Sequence, residues 1–436
     1  MVKEKKAKVK FSKEEKSWIA YDWANSVYAT IMLAAVFPIY FATVAGEAGD
    51  MWWGIGTSAA MIFMALIAPI IGAFSDFPGY RMRVFTIFFV IGVGVTFASA
   101  FFNRWELLLL GYAVSHIGFS GANIPYDATL ADVTKPERMD MISGYGYAYG
   151  YIGGSTIPFL VSIGLIMYAS MAANPIIDNI LAIRISVVLC AIWWAVFTIP
   201  YFKNVKQIYS IPKPETGSVT VAAFKAIIDT VKKIIKHKKV LVFILAYFFY
   251  IDGVGTVITM STVYGTVLGL DATMMILALL ITQLVAFPCS IWFSRLATKF
   301  GSLTLIRAAV CIYLGICITG FIMGFGLEEN LFGIGTATIL FFSLAFMVGS
   351  VQGGIQAISR SYYCQIIPPE NSGEFFGFFE IFGKFAAVLG PLLYAVTVGL
   401  TGRSSLAILS IIGLFLAGLI ILAVGNKHLK APTVKM

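Results

Sequence analysis

The sequence predicts an all-α membrane protein of twelve transmembrane helices in two pseudo-symmetric halves of six. Three observations carry this: the composition, the spacing and sidedness of the apolar runs, and an ordered repeat between the two halves. Of 436 residues, 59% are apolar, 15% aromatic and only 12% charged, with a mean hydropathy of +0.87. Soluble domains carry about 25% charged residues because water-facing surface needs them. A chain this poor in charge therefore has lipid as its solvent. Backbone groups in lipid must pair within the element, and the absence of long alternating strands selects helices over a barrel.

Stretches of about 20 apolar residues, each able to cross a core of about 30 Å, fall at Trp18–Ala45, Met51–Phe74, Val84–Phe102, Trp105–Leu130, Ile142–Tyr168 and Ile180–Phe202 in the first half. The second half has Leu241–Val267, Met274–Phe293, Leu305–Phe325, Ile334–Tyr363, Phe375–Val398 and Ser405–Val424. The first run is too long for a signal-peptide core and should persist as a span. The predicted organisation is a basic tail (1–17), a six-helix half (18–202), a linker (203–240), a second half (241–424) and a short tail (425–436).

Alternate ends of the spans collect 25 of the 31 Lys and Arg residues, the opposite ends only Arg104 and Arg403. By the bias of basic residues toward the cytoplasm, both termini and the linker are expected there, in a multi-pass protein of the cell membrane. The net charge of +9 thus follows the membrane, which argues against a nucleic-acid partner. In the linker, Phe224, Ile227, Ile228, Val231, Ile234 and Ile235 share a helical stripe with lysines largely off it. Such a helix either lies on an anionic inner leaflet or packs on the bundle.

Five cysteines without a C-x-x-C pair, and the scattered His116, His237 and His428, give no disulfide framework and no metal site. No Ser/His/Asp set or phosphate loop is visible, so neither an enzyme nor a cofactor is expected.

The repeat is weak but ordered. Asp22-Trp-Ala-Asn-Ser-Val27 echoes Asp252-Gly-Val-Gly-Thr-Val257, and Gly72-x-x-x-Asp76-x-x-Gly79-x-Arg81-x-Arg83 is followed by a degenerate copy with Thr298 in the acidic position. Asn123 stands over Gln356, Asp127 over Arg360, Pro136-Glu137 over Pro369-Glu370, Gly144 over Gly377 and Pro158 over Pro391. Parallel repeats of this kind build transporters. The Gly72–Arg83 pattern resembles the loop between the second and third spans of the major facilitator superfamily. Three further segments, Tyr21-Asp-Trp-Ala-Asn-Ser26, Ser143-Gly-Tyr-Gly-Tyr-Ala-Tyr-Gly-Tyr-Ile-Gly-Gly154 and Gln352-Gly-Gly-Ile-Gln-Ala-Ile-Ser-Arg-Ser361, resemble its vacuolar effluxer-like branch. The resemblance implies alternating access, with the first, fourth, seventh and tenth spans around a central cavity, and suggests amino-acid efflux.

Charges inside spans are candidates for function because each is costly there. Asp252, roughly 16 Å into its span, and Asp22 are candidate proton or monovalent-cation sites. Each has a hydroxyl four residues on, Thr256 and Ser26. Glu380 and Lys384 are spaced as an ion pair, with Tyr147 and Tyr151 as repeat counterparts. The resemblance places Asp127 opposite Arg360, giving fixed charge of both signs for a zwitterion; the competing reading is a structural latch. Asn25, Asn123, Gln352 and Gln356 are candidate hydrogen-bonding groups for substrate, or ties between helices. Asp76, Gly79, Arg81, Arg83, Glu137 and Arg138 are candidates for a cytoplasmic gate. The leading functional expectation is a monomeric, proton-coupled secondary transporter of a small polar solute; a cation-coupled sugar symporter and a non-transporting receptor or scaffold are the alternatives.

Overall fold

A computed structural model describes residues 10–46, 49–172, 174–213 and 219–430. Most of the basic N-terminal tail and residues 431–436 of the C-terminal tail therefore lie outside the described residues. Twelve helices are long and apolar enough to cross a membrane: α1 (Lys13–Ala45), α2 (Met51–Ser75), α3 (Tyr80–Ser99), α4 (Trp105–Val133), α5 (Pro136–Met171), α6 (Asn179–Asn204), α7 (Lys238–Val267), α8 (Thr273–Phe300), α9 (Ser302–Glu328), α10 (Ile334–Ile366), α11 (Pro369–Thr401) and α12 (Ser404–Val424). They form two six-helix halves, α1–α6 and α7–α12, and no strand occurs among the described residues. The end bearing both chain termini and the linker is called the basic end below.

Several helices overrun their apolar cores at the basic end because capping groups, and not hydropathy, set where they start and stop. Ser12 accepts from the Glu15 N–H while Glu15 Oε2 accepts from the Ser12 N–H, a closed capping box that starts α1 five residues before Trp18. Pro136 opens the first turn of α5, where its missing N–H costs nothing. Gly301, at φ +87°, allows the sharp turn between α8 and α9. Within the membrane, α1 and α5 each widen into a π-helical segment, at Ala29–Ala34 and Gly150–Thr156. Such segments commonly mark functional regions.

Packing across the halves depends on small residues. At the α2–α11 seam, a Cβ on Gly72 would lie 2.8 Å from the Gly373 carbonyl carbon, and one on Gly377 would lie 2.6 Å from the Ala68 carbonyl oxygen. These contacts are backbone on backbone, so no rotamer change relieves them. The α5–α1 contact inside the first half is equally close: a Cβ on Gly154 would meet Ser26 Cβ at 2.7 Å. The spacing of Gly150 and Gly154 is thus a packing feature.

The linker helix (Val219–Lys236) packs on the bundle. Ile227 sits against Ala73 and Phe77 near the basic end of α2, and Ile234 is buried. Val231 and Ile235 on the same expected stripe are exposed. The side chains of Phe224 and Ile228 are outside the described residues. The stripe is therefore divided, with one edge on protein and one turned away from it.

Gly72→Ala should open the α2–α11 seam and destabilise this conformation by about 1–3 kcal/mol, the usual cost of overpacking. A lowered thermal unfolding midpoint in detergent would register it; an unchanged midpoint would mean that the seam has slack.

Candidate functional site

The residues that join the halves converge near the basic end. Arg360 lies six residues before the end of α10, about 9 Å at 1.5 Å per residue, and is buried. Its Nη2 donates to Asp22 Oδ2 of α1 at 2.8 Å, and its Nη1 to Asp127 Oδ1 of α4 at 3.1 Å. Its Nε donates to Ser143 Oγ of α5 at 2.9 Å, and Ser143 Oγ donates to the Ala357 carbonyl at 2.7 Å. The rings of Trp18 and Tyr147 lie 4.6 Å from the guanidinium carbon, and Tyr126 lies 5.7 Å away. A planar, delocalised cation suits this enclosure of carboxylates and ring faces better than an ammonium would.

Local sequence explains the fit. Gly146 leaves the room that the Asp22 carboxylate fills, since a Cβ there would overlap Asp22 Oδ2. The Ser143–Gly154 run thus alternates glycines that admit α1 with polar and aromatic groups that meet α10.

The other candidate residues are distributed around this cluster. Asn25 donates to Asn123 across α1 and α4 at 2.9 Å, so these amides tie helices of the first half. Tyr151 packs beside Gly353 of α10. Gln352 is buried, whereas Asn123, Asp127, Tyr147, Tyr151, Gln356 and Glu380 are half-buried. The Lys384 side chain lies outside the described residues. Gln352 also borders an apolar pocket of about 140 Å³ lined by α7, α8, α9, α10 and α12.

Asp252 does not reach the Arg360 cluster. It is fully buried in the second half, where Oδ1 accepts from the Gly390 N–H of α11 at 3.0 Å. Its Oδ2 has no hydrogen-bond partner among the described residues. Thr256, one turn on, donates to the Asp252 carbonyl at 2.7 Å.

At the basic end the expected ion-pair cluster has a different membership. Asp76 Oδ1 and Oδ2 accept from the Gly373 and Glu374 N–H groups at the start of α11, at 2.7 and 2.8 Å, a helix N-terminus stabilising an anion. Arg81 donates to Asp76 at 2.8 Å and to Asp132 at 2.6 Å, all three side chains being buried. Burial pushes the Asp76 carboxyl up to about 6, against the opposing pull of Arg81 and the two backbone N–H groups. Gly79 takes the left-handed conformation, φ +76°, and its N–H donates to Gln207 of the linker. Arg83, Glu137 and Arg138 stand outside this cluster. Arg83 is exposed over the Tyr80 ring. Glu137 is exposed. Arg138 binds Glu15 through Nε and Nη2 at 2.8 and 2.7 Å, because the capping box already holds that carboxylate beside it. Sequence reasoning missed Asp132, Asp140, Ser143 and Glu15; the Ser12-x-x-Glu15 spacing alone could have exposed the last.

Among the described residues, most hydrogen bonds and the ion pairs between the halves lie at the level of Arg360 or nearer the basic end, and Tyr151 with Gln352 and Gln356 adds contact one to two turns deeper. Two six-helix halves joined at one end in this way define a major facilitator superfamily transporter. The fold matches that of the transporter FucP in the outward conformation, with a TM-score of 0.68 and 14% identity over 95% of this chain and 97% of that one. It also matches the human organic anion transporter MFSD10, with a TM-score of 0.64 and 16% identity over 94% and 99% of the two chains. Within the superfamily, residues 55–431 match the model described as vacuole effluxer Atg22 like, and the chain belongs to that family. An uncharacterized MFS-type transporter, YxiO of Bacillus subtilis (strain 168), is 42% identical over 422 residues, 95% of each protein. Autophagy-related protein 22 of Botryotinia fuckeliana (strain B05.10) is 25% identical over 290 residues, 63% of this chain and 48% of that protein. The chain thus matches about half the length of the fungal relative.

Arg360→Ala should cost about 3–5 kcal/mol, since it leaves the buried Asp22 and half-buried Asp127 carboxylates without their cation. Adding Asp22→Asn and Asp127→Asn to it should recover most of the loss in a thermal unfolding series. A triple variant as unstable as the single one would show that ring packing, and not charge, dominates the cluster.

Proposed function

We propose that this transporter moves a small polar solute by alternating access, coupled to protons, and that the Asp22–Arg360–Asp127 cluster links proton binding to closure of the halves. The observation that carries the proposal is the charge of the cluster. Two carboxylates share one guanidinium, so with all three ionised the enclosed group has one net negative charge. A proton, or an ammonium group on the solute, neutralises it. Because Asp22 and Asp127 belong to one half and Arg360 to the other, a change in that charge alters how strongly the halves hold together. Arg360 is the latch in this reading, since its donors are already taken by protein acceptors. In this reading the solute contacts are the half-buried Asn123, Asp127, Tyr147, Tyr151, Gln356 and Glu380, with Lys384 as expected from the sequence. Their mixture of signs suits a zwitterion such as an amino acid, and the effluxer-like family assignment supports that class.

Asp252 is the second proton or cation site of the proposal, supported by its burial and by the carboxylate oxygen that lacks a partner. The excess of Lys and Arg supports a cytoplasmic basic end in the cell membrane. Under that orientation this conformation is closed inward, with Asp76 and Arg81 as part of the cytoplasmic gate.

Proteoliposomes carrying a pH-sensitive dye provide the test, using a solute chosen from amino acids, dipeptides and sugars by its thermal stabilisation of the protein. Solute should drive proton movement, and replacing external K⁺ by Na⁺ should leave the rate unchanged. Asp127→Asn should cut coupled proton flux by at least about tenfold, as expected when an essential protonation site is lost. Proton flux equal to wild type in both Asp127→Asn and Asp252→Asn would remove these carboxylates from coupling.

A further inference from the structure

The two seams between the halves are related by the internal repeat, yet only the first retains the acidic loop residue. Asp76, in the loop after α2, caps the start of α11 at Gly373. The corresponding position in the second half is Thr298, in the last turn of α8, which is exposed and donates to the Arg295 carbonyl of its own helix. The repeat register that pairs Pro136 with Pro369 places Asp140 of α5 over Gly373. Asp140 is buried. One of its oxygens accepts from the Ser302 hydroxyl at the start of α9, at 2.7 Å. The other accepts from the Ser361 hydroxyl and, at 3.2 Å, from Gln365 Nε2, both on α10.

We propose that Asp140 is the latch of the second seam, with acceptor and donor exchanged between the two partners. On the first seam the loop supplies the carboxylate and the helix start supplies the N–H groups. On the second, the helix supplies the carboxylate, and the donor nearest the loop is Ser302, one residue beyond Gly301. Three features separate this latch from a generic buried acid. It bridges the halves. It occupies the position that mirrors the capped residue of the other seam. It also grips Ser361, the neighbour of Arg360, so it fixes the rotation of α10 that presents the guanidinium to Asp22 and Asp127. Asp140 is thus a positioning residue for the Arg360 cluster.

The latches differ in make-up. Across the first seam Asp76 accepts from two backbone N–H groups, its bond to Arg81 lying within the first half. Across the second, Asp140 accepts from two hydroxyls and an amide.

This inference rests on the alternating-access reading, and distances between paired spin labels separate the two. Cysteines replacing exposed Lys135 and Phe300 report on the α5–α8 seam, and cysteines replacing exposed Pro78 and Glu370 report on the α2–α11 seam. The background has the five native cysteines substituted, and the protein is reconstituted in lipid. Asp140→Asn, and separately Ser302→Ala with Ser361→Ala, should raise the open-to-closed ratio at the α5 seam about fivefold, as for the loss of one net hydrogen bond. The Pro78–Glu370 distance should change less. Asp140→Gly should open the same seam, and adding Thr298→Asp, which rebuilds the Asp76 arrangement, should close it again. If Asp76→Asn opens its own seam while Asp140→Asn and the double serine variant leave theirs closed, the latch is refuted. A failure of Thr298→Asp to restore closure would overturn the exchange of partners. Fixed distances at both seams in every variant would overturn the latch together with alternating access.

Discussion

The conformation depends on one guanidinium. Arg360 sits within a span, buried, where an unpaired cation would cost several kcal/mol. Its setting offsets that cost only while the halves are together, because Asp22, Asp127, Ser143, Trp18 and Tyr147 all come from the other half. Separation at this level strips the cation of both carboxylates at once. Under the proposed function the same geometry makes the contact reversible by chemistry: proton or solute binding at Asp22 or Asp127 would change the attraction without any helix having to unfold. A hydrophobic seam of equal area would lack that sensitivity, since apolar burial responds little to the charge of a visiting solute.

Such a contact requires helices that approach closely and in one rotation, and glycine supplies the approach. Gly146 admits the Asp22 carboxylate, Gly154 admits Ser26 and the α1 backbone, and Gly144 faces Ser294 across the seam. The π-helical segments lie just beyond this region, at Ala29–Ala34 after Asp22 and Asn25, and at Gly150–Thr156 after Tyr147. An extra residue per turn shifts the register of everything that follows. The polar faces near the basic end and the lipid-facing remainder of α1 and α5 can therefore be oriented independently. That arrangement concentrates the specialised backbone in the half that contributes the two carboxylates.

The sequence made the spans legible because hydropathy over about 20 residues is a collective signal that no single side chain can obscure. The resemblance to the superfamily also implied the Asp127–Arg360 pairing, and the loop pattern marked Asp76 and Arg81 as gate candidates. The sequence did not reveal that Asp22 joins Arg360, nor that Arg138 turns away to Glu15. Those outcomes depend on helix rotation and on competition among nearby partners, to which hydropathy is blind. Asp140 was hidden for a related reason. Near the end of an apolar run an acidic residue reads as solvated loop, and only the position of Ser302 and Ser361 shows it to be enclosed. The degenerate second loop, with Thr298 in place of an acid, was visible as a departure. Its counterpart lay on the partner helix, where a comparison of loop with loop does not look.

Asp22 and Asp252 show how far the repeat extends and where it stops. Both begin equivalent hexapeptides, and both have a hydroxyl-bearing residue four positions on that donates to the aspartate's own carbonyl, Ser26 at 2.7 Å and Thr256 at 2.7 Å. Each aspartate also lies beside a glycine: Gly146 leaves room for the Asp22 carboxylate, and Gly390 leaves room for the Thr256 hydroxyl, with Asp252 Oδ1 3.1 Å from where its Cβ would stand. The local design is therefore shared, and the difference is the partner across it. Asp22 meets a cation from the opposite half. Asp252 meets a backbone N–H within its own half, on a helix whose Pro391, next to Gly390, has no N–H to offer. One aspartate thus bridges the halves and the other stays within its own. Duplicated sites of this kind can divide two tasks, gating and charge storage, that a single buried carboxylate would have to perform together.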